Sequence, residues 1–297
     1  MADTTPPLLG LLPHLGVLKF SGADVQPFLQ GQLSCDTRPL LQGSAVFGAY
    51  STPQGRVLAL IYLLPHSAGV LGILPRELIA DTAARLKKFV LRAKVKIEDA
   101  SAEFALAGTN EAAWLEAHAL TKPDLGAYAE TGGVGVLHLG QDRSRFLLVA
   151  SVSKLDELGL HASAEALWRL ADIRAGLPQV YEATREAFVA QMLNLDLIDG
   201  ISFTKGCYTG QEIIARTQHL GRIKRRMYRL QLPLGGWQIG QSVKLNDGRS
   251  GRLAEVIAGT SEVEALAVLN VDASGQHEEA AEAHLTEARE ISLPYAK

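Results

Sequence analysis

Over its first two thirds the chain alternates short apolar runs of β type with segments whose apolar residues recur at helical spacing, without the repeated glycine-rich βα turns of a dinucleotide-binding fold. That combination points to an α+β body and away from a doubly wound parallel sheet. Gly16–Phe20 reads as a strand and Ser21–Asp24 as a turn, after which Val25, Phe28, Leu29 and Leu33 share a helical face capped by Asp24. Two apolar runs between Val46 and Leu64, separated by Thr52-Pro53-Gln54-Gly55, predict a hairpin. Residues 77–91 predict an amphipathic helix that buries Leu78, Ile79, Ala83, Leu86 and Val90. Short β-type runs resume from Val95 to Ala107, and the cycle repeats with a strand at Arg145–Val149 and a helix over Ala164–Ala175, its Leu167, Leu170 and Ala171 inward.

After Gly221 only short β-like runs follow: Met227–Leu232, Ser242–Leu245, Arg252–Ile257 and Glu264–Leu269. Turn chemistry at Asn246-Asp247-Gly248 and Gly259-Thr260-Ser261 separates them, the pattern of a small antiparallel β-barrel. The expected division is a body over residues 1–220 and a barrel domain over 221–297, ending in an Ala/Glu-rich stretch from His277 to Glu290.

With 297 residues, 47% of them hydrophobic, the chain can bury a substantial core. Its formal net charge of -3 excludes a global basic field, so any anion or RNA site must be local. The opening Met1–Pro7 lacks the basic start of a secretory signal, and the richest apolar run, Val57–Leu64, stops at Pro65. A cytoplasmic chain with no membrane partner is expected. Cys35 and Cys207 are the only cysteines, and no Cys-x-x-Cys or His-x-x-x-His spacing occurs, so no intrinsic metal is expected. This chain alone cannot supply the four thiolates of an iron–sulfur cluster.

The densest chemistry lies at Lys205-Gly206-Cys207-Tyr208-Thr209-Gly210-Gln211-Glu212. Thr209 and Glu212 fit a capping box, which predicts a helix starting at Gly210 and closing at His219-Leu220-Gly221 with a glycine C-cap. Cys207 then sits just before a helix N-terminus with Lys205 near it in sequence, where a thiolate would be stabilised. The alternative is a small residue in a tight turn between two glycines. Gly206 and Gly210 equally suit close approach of a ligand carboxylate or phosphate. Downstream, Arg216, Arg222, Lys224, Arg225, Arg226 and Arg229 form either a grip for an anionic ligand tail, an RNA or an acidic partner, or a solvated strand face.

The longer string Ile201-Ser202-Phe203-Thr204 leading into that motif, with Ala215-Arg216 after it, resembles the signature of the YgfZ family, relatives of the glycine-cleavage T-protein. The resemblance extends to Phe28-Leu29-Gln30-Gly31-Gln32 with Asp36, Gln54-Gly55-Arg56, Arg174-Ala175-Gly176-Leu177-Pro178 and Leu193-Asn194-Leu195-Asp196. It implies T-protein-like intertwined α+β domains around a central opening that binds tetrahydrofolate, plus the C-terminal barrel. It also implies a role in assembly or maintenance of iron–sulfur enzymes, including those that modify tRNA, with transient contacts to iron–sulfur proteins or assembly factors. On that reading Cys207 is the reactive thiol with Lys205 beside it, Arg216 and Arg226 meet the folate's glutamate tail, and Tyr208, Gln211, Glu212, Asn194 and Asp196 are cofactor-binding candidates. Replacing Cys207 or Lys205 is then expected to impair function with the fold intact.

Two features depart from the relatives. The T-protein has an acidic residue just beyond its hairpin turn, whereas Val57–Leu64 contains none, which argues against the alternative of a folate-dependent aminomethyl transferase. Ala190 stands where relatives carry proline before Gln191-Met192-Leu193-Asn194, which bears on the geometry of that loop. A second alternative, a tRNA-binding module, rests on the basic segment.

Overall fold

The computed structural model describes residues 7–139, 144–219, 221–272, 283–285 and 288–295. It is an α+β protein that divides into two compact units built from alternating stretches of sequence. One takes the chain up to Phe28, Thr37–Val46 and Tyr62–Arg169, and the other takes Leu29–Asp36, Phe47–Ile61 and Leu170 onward.

In the first unit, strand Leu15–Ser21 pairs antiparallel with Gly69–Pro75 on one side and Lys96–Asp99 on the other. Helix Val25–Gln32 begins straight after Asp24, whose carboxylate accepts from the Lys94 amide. The helix expected over 77–91 is shorter, a 3-10 turn Arg76–Leu78 running into Ile79–Lys87. Of its expected apolar face, Leu78, Ile79, Ala83 and Leu86 are buried, but Val90 lies beyond the helix end and is half-buried. A separate five-stranded sheet, in the order Leu9–Leu11, Phe104–Thr109, Arg145–Ser151, Val134–Leu139 and Tyr128–Thr131, packs its own core from Val134, Val136, Phe146, Leu148 and Leu155.

Helix Glu165–Ala175 forms where its periodicity predicts, but a different face is buried. Trp168 and Ile173 are inside, while Leu167, Leu170 and Ala171 are half-buried.

The second unit contains the hairpin strand Val46–Ser51 from Phe47 on and the first half of Val57–His66. Between them Gly55, at φ +73°, donates its amide to the Thr52 carbonyl at 2.8 Å, and Thr52 donates to Arg56 at 2.8 Å, closing the turn. Val57, Leu58, Ala59, Leu60 and Ile61 are all buried, which explains a run with no polar alternation. Pro65 does not end this strand but lies within it, near its far end.

A six-stranded half-barrel follows, in the order Ala283–Leu285, Ser242–Leu245, Ser250–Ala258, Val263–Asn270, Arg225–Leu232 and Arg289–Ile291. All its pairings are antiparallel except Ser242–Leu245 with Ala283–Leu285, which run parallel. Leu230, Leu232, Val243, Leu253, Val263, Ala265 and Leu269 fill its core. Much of the Ala/Glu-rich stretch from His277 to Glu290 lies outside the described residues.

Candidate functional site

The signature motif is a loop between Gly200 and helix Gln211–His219, and its shape is set by a segment far away in sequence. Ser34 is fully buried and works on three backbones. Its hydroxyl donates to the Gly200 carbonyl at 2.6 Å and accepts from the Ala49 amide at 2.8 Å, and its own carbonyl accepts from the Ser202 amide at 2.9 Å. The Thr209 amide donates to the Gly31 carbonyl at 3.2 Å, so the loop is tied at both ends to residues 31–34.

Lys205 completes this stitching. Its side chain is buried and its ammonium donates to the Leu33 carbonyl at 2.8 Å and the Cys35 carbonyl at 2.6 Å, with the Tyr208 ring 4.9 Å away as a cation–π partner. Lys205 therefore acts on the backbone around Cys35. Burial pushes the Cys35 thiol up to about 12, against the pull of the Lys205 charge, so this cysteine is inert at neutral pH. Burial, then the Cys35 side chain, pushes the Tyr208 hydroxyl up to about 12 as well. Cys207, by contrast, is exposed at the loop surface, and a β-carbon on neighbouring Gly206 would meet open space.

The helix begins at Gln211, one residue later than the capping-box register predicts. Gly210 has φ +83°, a left-handed conformation outside any right-handed helix, so Thr209 is not the residue that caps it. The reason is packing against the hairpin: a β-carbon on Gly210 would lie 2.7 Å from the Thr52 carbonyl oxygen and 3.1 Å from Gly55 Cα. Gly55 in turn lies against Ile213. Arg56 donates to the Ala187 carbonyl at 3.0 Å and bridges Val189. Gln30-Gly31, Gln54-Gly55-Arg56 and the signature, separate in sequence, thus meet in one unit. At the other end Leu220 lies outside the described residues, and Gly221 is not in the left-handed region expected of a glycine cap.

Ala190 starts a 3-10 turn, Ala190–Leu193, that ends at Asn194 in the left-handed region with φ +58°. Asn194 donates to the Met227 carbonyl at 2.9 Å, and Asp196 holds the Arg226 guanidinium in two bonds of 2.6 and 2.8 Å. Arg226 also donates to the Gln191 carbonyl at 3.0 Å. Asn194, Asp196 and Arg226 therefore form one bracket that fixes the 190–196 turn to the half-barrel strand Arg225–Leu232.

Half of the basic segment faces acids, Arg226 as above and two more, while Arg216 and Lys224 are exposed with no ion pair among the described residues. Arg229 pairs with Glu264 at 2.7 Å, Arg222 lies 3.5 Å from Asp272, and Arg225 donates to the Asn270 side chain at 3.0 Å. Of the residues expected to meet a ligand tail, Arg216 is exposed on the helix with Glu212, and Gln211 is half-buried.

Pattern reasoning missed two residues of this unit. Gln191 is fully buried and donates to the Ile214 carbonyl at 2.7 Å, but its Oε1 has no hydrogen-bond partner. The Ser51 hydroxyl at the end of the hairpin strand is likewise buried without a partner. A polar glutamine between buried Ala190 and Leu193 was the available signal for the first; nothing in the sequence marks the second. Among the described residues no group of three or more His, Cys, Asp or Glu is placed to hold a metal ion, and no helix is long and apolar enough to cross a membrane.

No family model matches the chain. It is 33% identical over 230 residues to the tRNA-modifying protein YgfZ of Colwellia psychrerythraea, covering 75% of this chain and 71% of that one. The same-named protein of Photobacterium profundum is 30% identical over an alignment of 311 positions, with 96% and 90% covered. Among solved structures, the glycine cleavage system aminomethyltransferase T from Bartonella henselae superposes with a TM-score of 0.58 at 15% identity, over 90% of this chain and 80% of that one. The T-protein fold is therefore shared, and by its sequence the chain belongs to the YgfZ family.

Proposed function

We propose that this protein binds a tetrahydrofolate and serves as an accessory factor in tRNA modification, supporting the iron–sulfur enzymes that perform it. The observation that carries the reading is the convergence of the separated motifs on one rigid loop, with Lys205 locked beneath it and Cys207 left exposed. A loop fixed this firmly by buried polar groups presents its exposed thiol in a set position, as a ligand or partner site requires.

Two observations support a folate. The orphaned acceptor Gln191 Oε1 and the orphaned Ser51 hydroxyl are buried polar groups of the kind that the amide edge of a pterin would satisfy. With Arg226 engaged by Asp196, exposed Arg216 is the guanidinium left to meet a glutamate carboxylate on this reading. Bound there, the folate supplies one-carbon chemistry. The protein's residues orient it, and the Cys207 thiol stays accessible for a later step. Aminomethyl transfer in the T-protein manner is disfavoured because the strand beyond the hairpin turn is buried and wholly without acid.

The function is tested in cells lacking this chain by mass spectrometry of tRNA nucleosides made by iron–sulfur enzymes. Complementation with wild type is expected to restore the modified nucleosides and Cys207→Ala to restore few. Full restoration by Cys207→Ala removes the thiol from the mechanism, and no restoration by the wild type sinks the reading.

A further inference from the structure

We propose that the turn after helix Ile79–Lys87 is a docking surface for the phosphate backbone of RNA, with the Phe89 ring as a stacking platform. This rests on the tRNA-modification reading above but concerns a face of the other unit, remote in sequence from the signature loop.

Lys87, Lys88, Arg92 and Lys94 are all exposed within eight residues, and among the described residues none has a carboxylate within ion-pair distance. Of the neighbouring acids, the Asp24 carboxylate accepts from the Lys94 backbone amide at 2.7 Å and keeps its negative charge at that end of the patch, and two others are paired with other cations. Asp81 pairs with Arg85 at 2.7 Å and Glu98 with Lys96 at 2.8 Å, with the Lys87 charge acting on Glu98 only at longer range. Lys87, Lys88 and Arg92 therefore leave a local excess of positive charge on a chain whose net charge is -3, whereas three arginines of the segment that looked more basic in sequence face Asp272, Asp196 and Glu264.

Between these cations the chain displays apolar groups. Successive turns carry it past the helix end, with Phe89 donating its amide to Leu86, Val90 to Lys87 and Ala93 to Val90. Phe89 is left 46% exposed and Leu91 87% exposed, the latter at φ +46°, a conformation a leucine rarely adopts. An exposed aromatic ring set among cations is the arrangement that binds single-stranded nucleic acid, phosphates on the charges and a base on the ring.

The chemistry favours RNA over the other polyanionic partners. Lysine is depleted from the cores of protein–protein interfaces, and three of these four cations are lysines. A membrane-seated helix needs a continuous apolar face, but the face of Ile79–Lys87 is turned inward and leaves only Phe89 and Leu91 outside.

Fluorescence anisotropy with an unmodified tRNA transcript, titrated across salt concentrations, tests this. Wild type is expected to bind more weakly as salt rises. The double charge reversal K88E/R92E should weaken binding at least tenfold and flatten the salt dependence by roughly one unit of slope or more, at about 0.7 to 0.9 per phosphate contact. Phe89→Ala should weaken binding by about fivefold or more with the slope unchanged. The pair R222E/K224E should bind as wild type. All these side chains are exposed, Arg222 included despite its Asp272 neighbour at 3.5 Å, and thermal melting confirms that each variant folds. Binding of K88E/R92E equal to wild type overturns the proposal, as does no binding of RNA by the wild type, or a preference for phosphatidylglycerol vesicles over RNA. Loss of tRNA modification in cells lacking the chain, alongside absent RNA binding, would leave the accessory-factor reading standing and remove only this surface.

Discussion

Lys205→Ala is expected to lose about 3–4 kcal/mol of folding stability, measured as a lowered urea midpoint, and to release the signature loop. The ammonium is the shared donor for two buried carbonyls, those of Leu33 and Cys35, at 2.8 and 2.6 Å. Its removal leaves both without that donor, each worth about 1–3 kcal/mol, and also deletes the contact with the Tyr208 ring. Arginine should not rescue, because a planar fork cannot occupy the site of a compact ammonium buried between two carbonyls. The expectation from sequence, that Lys205 can be replaced with the fold intact, is thereby revised. If Lys205→Ala melts like the wild type, the loop is not held as described here.

Gly210→Ala should cost a similar amount, about 3–4 kcal/mol. The left-handed backbone contributes about 1–2 kcal/mol of strain for a residue with a β-carbon. The remainder comes from overpacking against the Thr52 carbonyl oxygen, 2.7 Å from the new atom, where backbone must move and not a flexible side chain. Because the hairpin turn and the helix start meet here, displacing one displaces the other, and the variant should show faster hydrogen exchange at Gly55 and at residues 211–214 together. Exchange confined to one of the two segments would contradict their coupling.

The parts of this fold that were legible in sequence are those governed by local pattern. Short apolar runs and turn residues placed the hairpin around Gly55 and four strands of the half-barrel, because β-type runs and glycine-containing turns act over a few residues. Which face of helix Glu165–Ala175 is buried was not legible, since the face a helix hides depends on what packs against it: Trp168 and Ile173 are covered and Leu167 is only half-buried. The start of the signature helix was missed by one residue for a tertiary reason: the hairpin turn forces Gly210 out of the helix.

The same distinction holds at the site. The motif marked the right loop, but Lys205 and Cys207, neighbours in sequence, have divergent fates because the partners of Lys205 lie at Leu33 and Cys35. Six cations in a row of sequence looked like one binding surface. Asp196, Glu264 and Asp272, brought from elsewhere in the chain, take three of the six. Glu264 shows the result: burial alone would raise its carboxyl, yet hydrogen bonds from Arg174 and Arg229 hold it below the usual range.

Calorimetric titration with tetrahydrofolate under reducing, anaerobic conditions decides whether the protein binds a folate. Wild type should bind. Cys207→Ala should bind equally well, since the thiol is exposed and the buried acceptors lie elsewhere. Gln191→Leu, with folding verified by circular dichroism, should bind at least about tenfold more weakly through loss of one buried hydrogen bond. No binding by the wild type would contradict the account at its base, and wild-type affinity in Gln191→Leu would remove the pterin from the place assigned to it.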